Sequence, residues 1–243
     1  MYSISVFFPC YNDAGTIGSM VILAFEVLSE ISEDYEVIVV DDGSTDASRD
    51  ILKELKIRYK DRFRVIEHEK NMGYGGALRT GFKNAAKELI FYTDGDAQYD
   101  VRELKKLLAL MGDDTDVVNG FKTKRSDPYY RVLIGKIYHN LMKSMFNLKI
   151  RDVDCDFRLM RKRIFEKINL EYASGVICVE MVKKIQDAGF RFREVGVTHY
   201  FRAYGKSQFF NFKRIIDVGA HILILWWKLV VIKRSKGRRS PQK

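Results

Sequence analysis

The sequence predicts an α/β fold: a mostly parallel central sheet flanked by helices, followed by a C-terminal amphipathic helical segment. Two observations carry this reading. Through roughly the first half of the chain, short apolar runs alternate with longer stretches of helical periodicity, and the apolar runs end in polar, acid- or glycine-containing loops. Strands separated by helices need crossover connections, which are right-handed and make the strands parallel. An apolar content of 47% over 243 residues supports a substantial core, and three prolines with no low-complexity tract argue against disorder.

The elements follow in order. Residues 4–9 (ISVFFP) read as a buried strand and 14–31 as a helix with an apolar stripe. YEVIVV at 35–40 is a second strand, and a helix from about 46 to 59 follows, with Ser44 or Thr45 near its cap. Residues 63–67 form a third strand, 75–86 a helix, 88–93 a fourth strand, 101–111 a helix and 116–119 a fifth strand. Beyond 120 the pattern loosens. Residues 129–146 read as an amphipathic helix, 156–160 as a short strand, 176–188 as a helix, 191–197 as a strand ending near His199, and 209–232 as an increasingly apolar helix. The expected organisation is a domain over 1–208, with a first half to 120 and a second from 121, and an interfacial helix with a basic tail over 209–243.

Forty-two basic residues against 32 acidic ones give a net charge of +10, which suggests an anionic partner: nucleic acid, a phosphorylated small molecule or an anionic membrane surface. Cys10, Cys155 and Cys178 are odd in number, far apart and form no CxxC pair, so neither a disulfide framework nor a zinc site is expected. The opening MYSISVFFPC shows no basic segment followed by a signal-like apolar stretch, so no secretion signal is expected there.

In open parallel sheets, ligands bind beyond the carboxyl ends of the strands. The polar motifs fall at those ends: Asn12 and Asp13 after the first strand, Asp41 and Asp42 after the second, Asn71 to Gly76 after the third, Asp94 to Gln98 after the fourth. Asp94 and Asp96, one residue apart, can converge on a divalent cation, with Gln98 close enough to add an oxygen. Hard oxygen ligands suit Mg2+ or Mn2+. A solvated acidic turn would give the same composition. Asp100 reads as a helix-start residue. A carboxylate at 41–42 can accept hydrogen bonds from a base or ribose. The glycine-rich NMGYGG stretch could admit a nucleotide or simply turn tightly; it has neither the dinucleotide nor the P-loop spacing.

Taken together, Pro9-Cys-Tyr-Asn-Asp13, Val40-Asp-Asp-Gly-Ser-Thr-Asp46, Asn71-Met-Gly-Tyr-Gly-Gly-Ala-Leu-Arg79 and Asp94-Gly-Asp-Ala-Gln98 resemble, in order and spacing, the motifs of family-two inverting glycosyltransferases. Asp152-Val-Asp-Cys-Asp-Phe-Arg-Leu-Met-Arg161 and His199-Tyr-Phe-Arg-Ala-Tyr-Gly-Lys-Ser207 are similar to the second-half signature of polyprenyl- and dolichyl-phosphate sugar synthases. The resemblance implies a GT-A fold, a nucleotide-diphosphate sugar as donor and Mg2+ or Mn2+ as cofactor. It places Pro9, Tyr11, Asn12, Asp13, Asp42, Gly73, Arg79 and Asp94 around the nucleotide, and Asp94, Asp96 and Gln98 on the metal. Two departures, Asp13 where the family usually has Glu and Gly95-Asp96-Ala97-Gln98 where it commonly has Ala-Asp-Leu-Gln, keep the oxygen chemistry.

The implied acceptor is a polyprenyl phosphate, already anionic and able to attack without a strong base. Arg125, Arg131, Arg158 and Arg202 are then candidate phosphate clamps, Arg202 foremost with Lys206 and Ser207. Asp96, Arg202 and Asp154 are the candidate catalytic residues, Asp154 as an acceptor-orienting group or as a base if the acceptor is a hydroxyl. Trp226 and Trp227 beside an apolar run, before a basic tail, suit a helix on the cytoplasmic face of an anionic membrane. Packing on the domain or in an oligomer is the plainer reading. A saccharide acceptor on the same fold is the alternative. A basic nucleic-acid-binding module would explain +10 but not the carboxylates at several strand ends, so no nucleic acid is expected as partner.

Overall fold

The computed structural model describes residues 1–125, 129–202, 204 and 212–232, without the side chains of 124, 125, 129–131 and 212–217. The chain runs β1 (Ile4–Cys10), α1 (Ile17–Ile31), β2 (Tyr35–Asp41), α2 (Ser48–Tyr59), β3 (Phe63–Glu67), α3 (Tyr74–Asn84), β4 (Leu89–Thr93) and α4 (Leu104–Leu108). It continues through β5 (Val117–Arg125), α5 (Tyr129–Phe146), β6 (Phe157–Arg161), α6 (Ile164–Lys167), α7 (Ile177–Asp187), β7 (Phe192–His199) and α8 (Phe212–Trp226), which widens into a π-helical stretch, Trp227–Ile232. Among the described residues no helix is long and apolar enough to cross a membrane.

One sheet takes all seven strands in the order β3-β2-β1-β4-β6-β5-β7. β1 pairs in parallel with β2 and β4, β2 with β3, and β5 with β7; only β6 runs the other way, antiparallel to both β4 and β5. Every residue of β1, β2 and β4 is buried, as continuous apolar runs must be when helices cover both faces. One core layer packs α1 against β1 and β2 through Val21, Leu28, Val6 and Val37; the opposite layer sets Leu78 and Phe82 of α3 against Phe7 and Tyr92.

The registers bring the polar loops to one rim. Cys10 lies beside Asp41, and Asp41 beside Glu67, so β1, β2 and β3 end together. The reversal of β6 adds what parallel strands could not. Its first residue, Phe157, pairs with Thr93, the last residue of β4, so the 152–156 segment enters at the rim. β7 ends there as well, with His199 beside Arg125.

Several expected boundaries shift for local reasons. The first helix opens at Ile17 rather than 14, because a turn (Thr16 N to Asp13 O, 3.0 Å) occupies the interval. The second opens at Ser48, whose N–H is taken by Asp46 Oδ1 at 2.9 Å in place of a cap from Ser44 or Thr45. The expected 101–111 helix is cut short. A 3-10 turn, Val101–Glu103, starts on Asp100, whose carboxylate accepts Arg102 N (3.0 Å), and i→i+3 bonds close the last turn at Leu110 and Met111. The fifth strand runs on to Arg125 because β7 gives it a partner along that length. The three cysteines are buried and free.

Arg158, in the middle of β6, corrects a sequence expectation. It is 1% exposed and the largest fully buried side chain, where a phosphate clamp was expected. Its Nε donates to Asn119 Oδ1 (2.6 Å), Nη2 to Val153 O (2.5 Å), and Nη1 to Asp156 Oδ1 (3.1 Å) and the Tyr92 hydroxyl. With all three nitrogens engaged inside the sheet, it is not open to a substrate. Removing one partner of a buried ion pair leaves the other uncompensated, so Arg158→Met should lower the unfolding free energy by about 3–5 kcal/mol in urea denaturation; a loss below about 1 kcal/mol would contradict this reading of the hub.

Candidate active site

The rim is laced together by side chains from different loops. Asn12, in the left-handed region at φ 57°, points Oδ1 at the N–H groups of Thr45 (2.8 Å) and Asp46 (3.3 Å). Asp13 N donates to Ser48 Oγ (3.1 Å), and Asp13 Oδ2 accepts from Tyr11 N (3.2 Å). Pro9, Tyr11, Asn12 and Asp13 are thus brought together, with Asn12 acting as the tie between the first two loops. Asp41 turns away to Arg49 (2.7 Å), whereas Asp42 lies between His68 and the 71–73 loop.

Two carboxylates expected on a cation arrive after β4. Asp94 accepts from the Tyr74 hydroxyl at 2.8 Å; Asp96 accepts from Gln98 N at 3.0 Å and is paired with the Arg202 guanidinium. Burial pushes the Asp94 carboxyl well above its usual range, and the charges of Asp156 and Asp96 push it further. Asp96 is likewise raised by burial, against the opposing charge of Arg202. Asp13 is raised to about 6 by burial, with the Asp96 charge adding to it. A buried cluster of acids that resists ionisation is short of positive charge. Among the described residues no group of three or more His, Cys, Asp or Glu is disposed to hold a metal ion. A pair of carboxylates fits Mg2+ or Mn2+, which keep water and take substrate phosphate oxygens for the rest of their shell.

Gln98 spends its amide nitrogen and its backbone carbonyl on the fold. Its Nε2 donates to Tyr200 O (3.2 Å) and Tyr200 N returns a bond to Gln98 O (2.8 Å), so Gln98 clasps the segment after β7. That clasp carries Arg202 to Asp96. His199 lies beneath, edge-on to Tyr99 at 5.1 Å between ring centroids.

The glycines of NMGYGG serve packing. A Cβ on Gly73, at φ 81°, would lie 2.6 Å from Ala173 O, and one on Gly75 would lie 2.3 Å from Tyr172 O. They admit the 172–173 backbone, to which Gly75 N donates (2.8 Å). Arg79 Nη1 donates to Glu171 O in the same segment (3.0 Å).

On the other side of the rim, Asp154 is partly exposed and its carbonyl accepts from Lys122 Nζ (2.6 Å). Burial raises its carboxyl to about 7, with the Lys122 charge opposing. Arg125 and Arg131 fall on side chains outside those described, and Lys206 and Ser207 lie outside the described residues.

Tyr74, Asp156, His68 and Tyr200 belong to this arrangement and are not in the expected set. Tyr74 and Tyr200 stood inside quoted motifs, and Asp156 within DVDCD. His68 had no signal, because its role depends on β3 ending beside β2.

Comparison with known proteins gives the same picture. The family model described as "Glycosyl transferase family 2" matches residues 5–169. Glycosyltransferase AglD of Haloferax volcanii is 29% identical over 97% of this chain and 39% of its own length. An undecaprenyl-phosphate 4-deoxy-4-formamido-L-arabinose transferase of Enterobacter sp. is 25% identical over 90% of this chain and 65% of its own. The chain thus spans less than two thirds of the length of these curated relatives. Glucosyl-3-phosphoglycerate synthase from Mycobacterium tuberculosis, solved with Mn2+, UDP and phosphoglyceric acid, superposes with a TM-score of 0.71 at 14% identity, covering 93% of this chain and 78% of that one. The sheet is therefore that of the GT-A fold, and this chain belongs to glycosyl transferase family 2.

Proposed function

We propose that this chain transfers a sugar from a nucleoside-diphosphate sugar to a polyprenyl phosphate while lying peripherally on the cytoplasmic face of a membrane. The observation that carries the donor half is the pair Asp94, partly buried, and Asp96, buried, just past the end of β4, with a guanidinium drawn onto one of them. Asp94 and Asp96 would hold Mg2+ or Mn2+, which supplies Lewis-acid neutralisation of the departing diphosphate. Tyr74 fixes the Asp94 carboxylate, Tyr11 and Asp13 line the nucleotide side, and Asp42 meets the base or ribose. Arg202 is placed to neutralise an anionic acceptor phosphate. An acceptor phosphate oxygen forms the new bond to the anomeric carbon as the bond to the diphosphate breaks on the opposite face. The names of the Enterobacter relative and of its 24%-identical counterpart in Aeromonas hydrophila support a polyprenyl acceptor.

The membrane reading rests on α5 and α8. They pack together through Met142, Phe146, Ile222 and Leu225, and Trp226 Nε1 donates to Met145 O at 2.9 Å. Their outer faces leave Leu133, Ile134, Ile137, Leu141, Leu223 and Trp227 exposed by 46% to 61%. No acidic residue occurs in α5, while Lys136, Lys143 and Lys228 border the face. An apolar face rimmed by lysines suits an anionic bilayer.

A second reading, transfer to a saccharide hydroxyl, is favoured by one observation. Asp154, at about 7, is matched to a general base at neutral pH.

Asp96→Ala should reduce metal-dependent transfer at least about 1,000-fold with an unchanged circular dichroism spectrum; retained activity refutes the cation site. Protonation competes with cation binding at acids whose pKa values burial has raised. Mn2+ affinity, read by calorimetry, should therefore fall as pH is lowered, in the direction set by the raised Asp94 and Asp96 carboxyls, with protonation of Asp13 at about 6 removing a further neighbouring charge. Asp154→Asn should cost less than about tenfold in transfer to a lipid phosphate, whereas a loss of about 100-fold or more would favour the hydroxyl reading. Ile137→Glu with Leu141→Glu should cut co-flotation with phosphatidylglycerol vesicles about tenfold; equal recovery, with or without self-association, defeats the membrane reading.

A further inference from the structure

His68 lies just past β3, in a loop the glycosyl-transfer mechanism does not otherwise use, yet it is among the most tightly held side chains of the rim. It is 9% exposed. Its backbone N–H donates to Asp41 O (2.8 Å), and its carbonyl accepts from Arg49 Nη2 (3.3 Å), so the main chain is fixed on both sides. Its ring spans two elements: Nδ1 is 2.7 Å from Asp42 Oδ1, and Nε2 is 2.9 Å from Thr80 Oγ1 on α3. A carboxylate accepts only, so Nδ1 carries the proton facing Asp42, and Thr80 sets the other ring nitrogen.

The consequence falls on Asp42. Its Oδ1 receives two bonds, from His68 Nδ1 and from Met72 N at 2.7 Å. A carboxylate oxygen offers two lone pairs, so Oδ1 is filled. Oδ2 receives no hydrogen bond among the described residues. The group presented to a ligand is therefore a single accepting oxygen whose direction is locked by the imidazole. Nucleobases differ in what they can offer it. Guanine presents two adjacent donors, N1–H and the N2 amino group, which match a carboxylate with both oxygens open. Cytosine and adenine set an acceptor nitrogen beside their amino donor, and that lone pair meets the carboxylate with repulsion. Uracil and thymine present one ring N–H, at N3.

We propose that His68 is a positioning residue for nucleotide recognition: by filling Oδ1 of Asp42 it leaves one oxygen, and so selects a uracil or thymine nucleotide over guanine, cytosine and adenine. The inference rests on the reading of Asp42 as the group that meets the nucleobase. Thr80 acts one step further out, holding the ring that holds the carboxylate.

Calorimetry of the whole chain with Mn2+ tests this using UDP, N3-methyl-UDP, dTDP, GDP and CDP as probes. A hydrogen bond to a charged group is worth about one to two powers of ten in affinity. UDP and dTDP should therefore bind at least about tenfold more tightly than the other three. His68→Ala should weaken UDP about tenfold without weakening GDP, collapsing the preference. His68→Asn, whose amide nitrogen reaches the place of Nδ1, should restore most of it. The donor KM in transfer assays should follow the same order with kcat within about twofold, because the base lies far from the reacting carbon. N3-methyl-UDP on the unsubstituted protein needs no variant, so a destabilised His68→Ala does not blunt the test. Equal binding of UDP and N3-methyl-UDP, or tighter binding of GDP, overturns the inference while sugar transfer stands. Failure of every nucleoside diphosphate to bind overturns both.

Discussion

One buried guanidinium holds the rim in place. Arg158 stands in the only reversed strand and reaches into three neighbours at once: Tyr92 in β4, Asn119 in β5 and the 153–156 segment that enters β6. A charge this deep is tolerable only when it is paired and hydrogen-bonded, and here all three of its nitrogens are engaged. In return it fixes the seam where β6 is inserted between strands of the two halves. The same arginine is ion-paired with Asp156 (3.1 Å), whose charge adds to the upward push on Asp94.

That negative charge is the second organising fact. Asp13, Asp94 and Asp96 come from two loops, and burial raises the cost of ionising all of them. Among the described residues, positive charge reaches them through Arg202, which the Gln98–Tyr200 clasp delivers. The acids after β1 and β4 and the arginine of the segment after β7 therefore share an electrostatic centre.

Much of this was legible in the chain itself. Fully buried parallel strands announce themselves as unbroken apolar runs, and YEVIVV or ELIFYT could hardly be anything else. The loops after them could be placed on one edge from topology alone. What sequence could not supply was direction and depth. Nothing in FRLMR states that it runs antiparallel, and an arginine in that run gives no sign of being the most enclosed large side chain. Gly73 and Gly75 looked equally suited to a nucleotide and to a tight turn, and the answer was a third thing, the close passage of residues 172–173. His68 was illegible because its meaning lies in Asp42 and Thr80, 26 and 12 residues away along the chain.

The insertion of β6 also decides how the chain can be divided. A boundary at residue 120 falls inside β5, and β6 from beyond that boundary pairs with β4 from before it. A fragment ending there would leave β4, buried along its whole length, as an apolar open edge, the kind of surface that recruits other chains. The motifs of the first and second halves are thus not modules that can be exchanged between relatives by cutting and joining. They are interleaved in one sheet, and any new specificity in this architecture has to come from loop and helix changes made around an undivided whole.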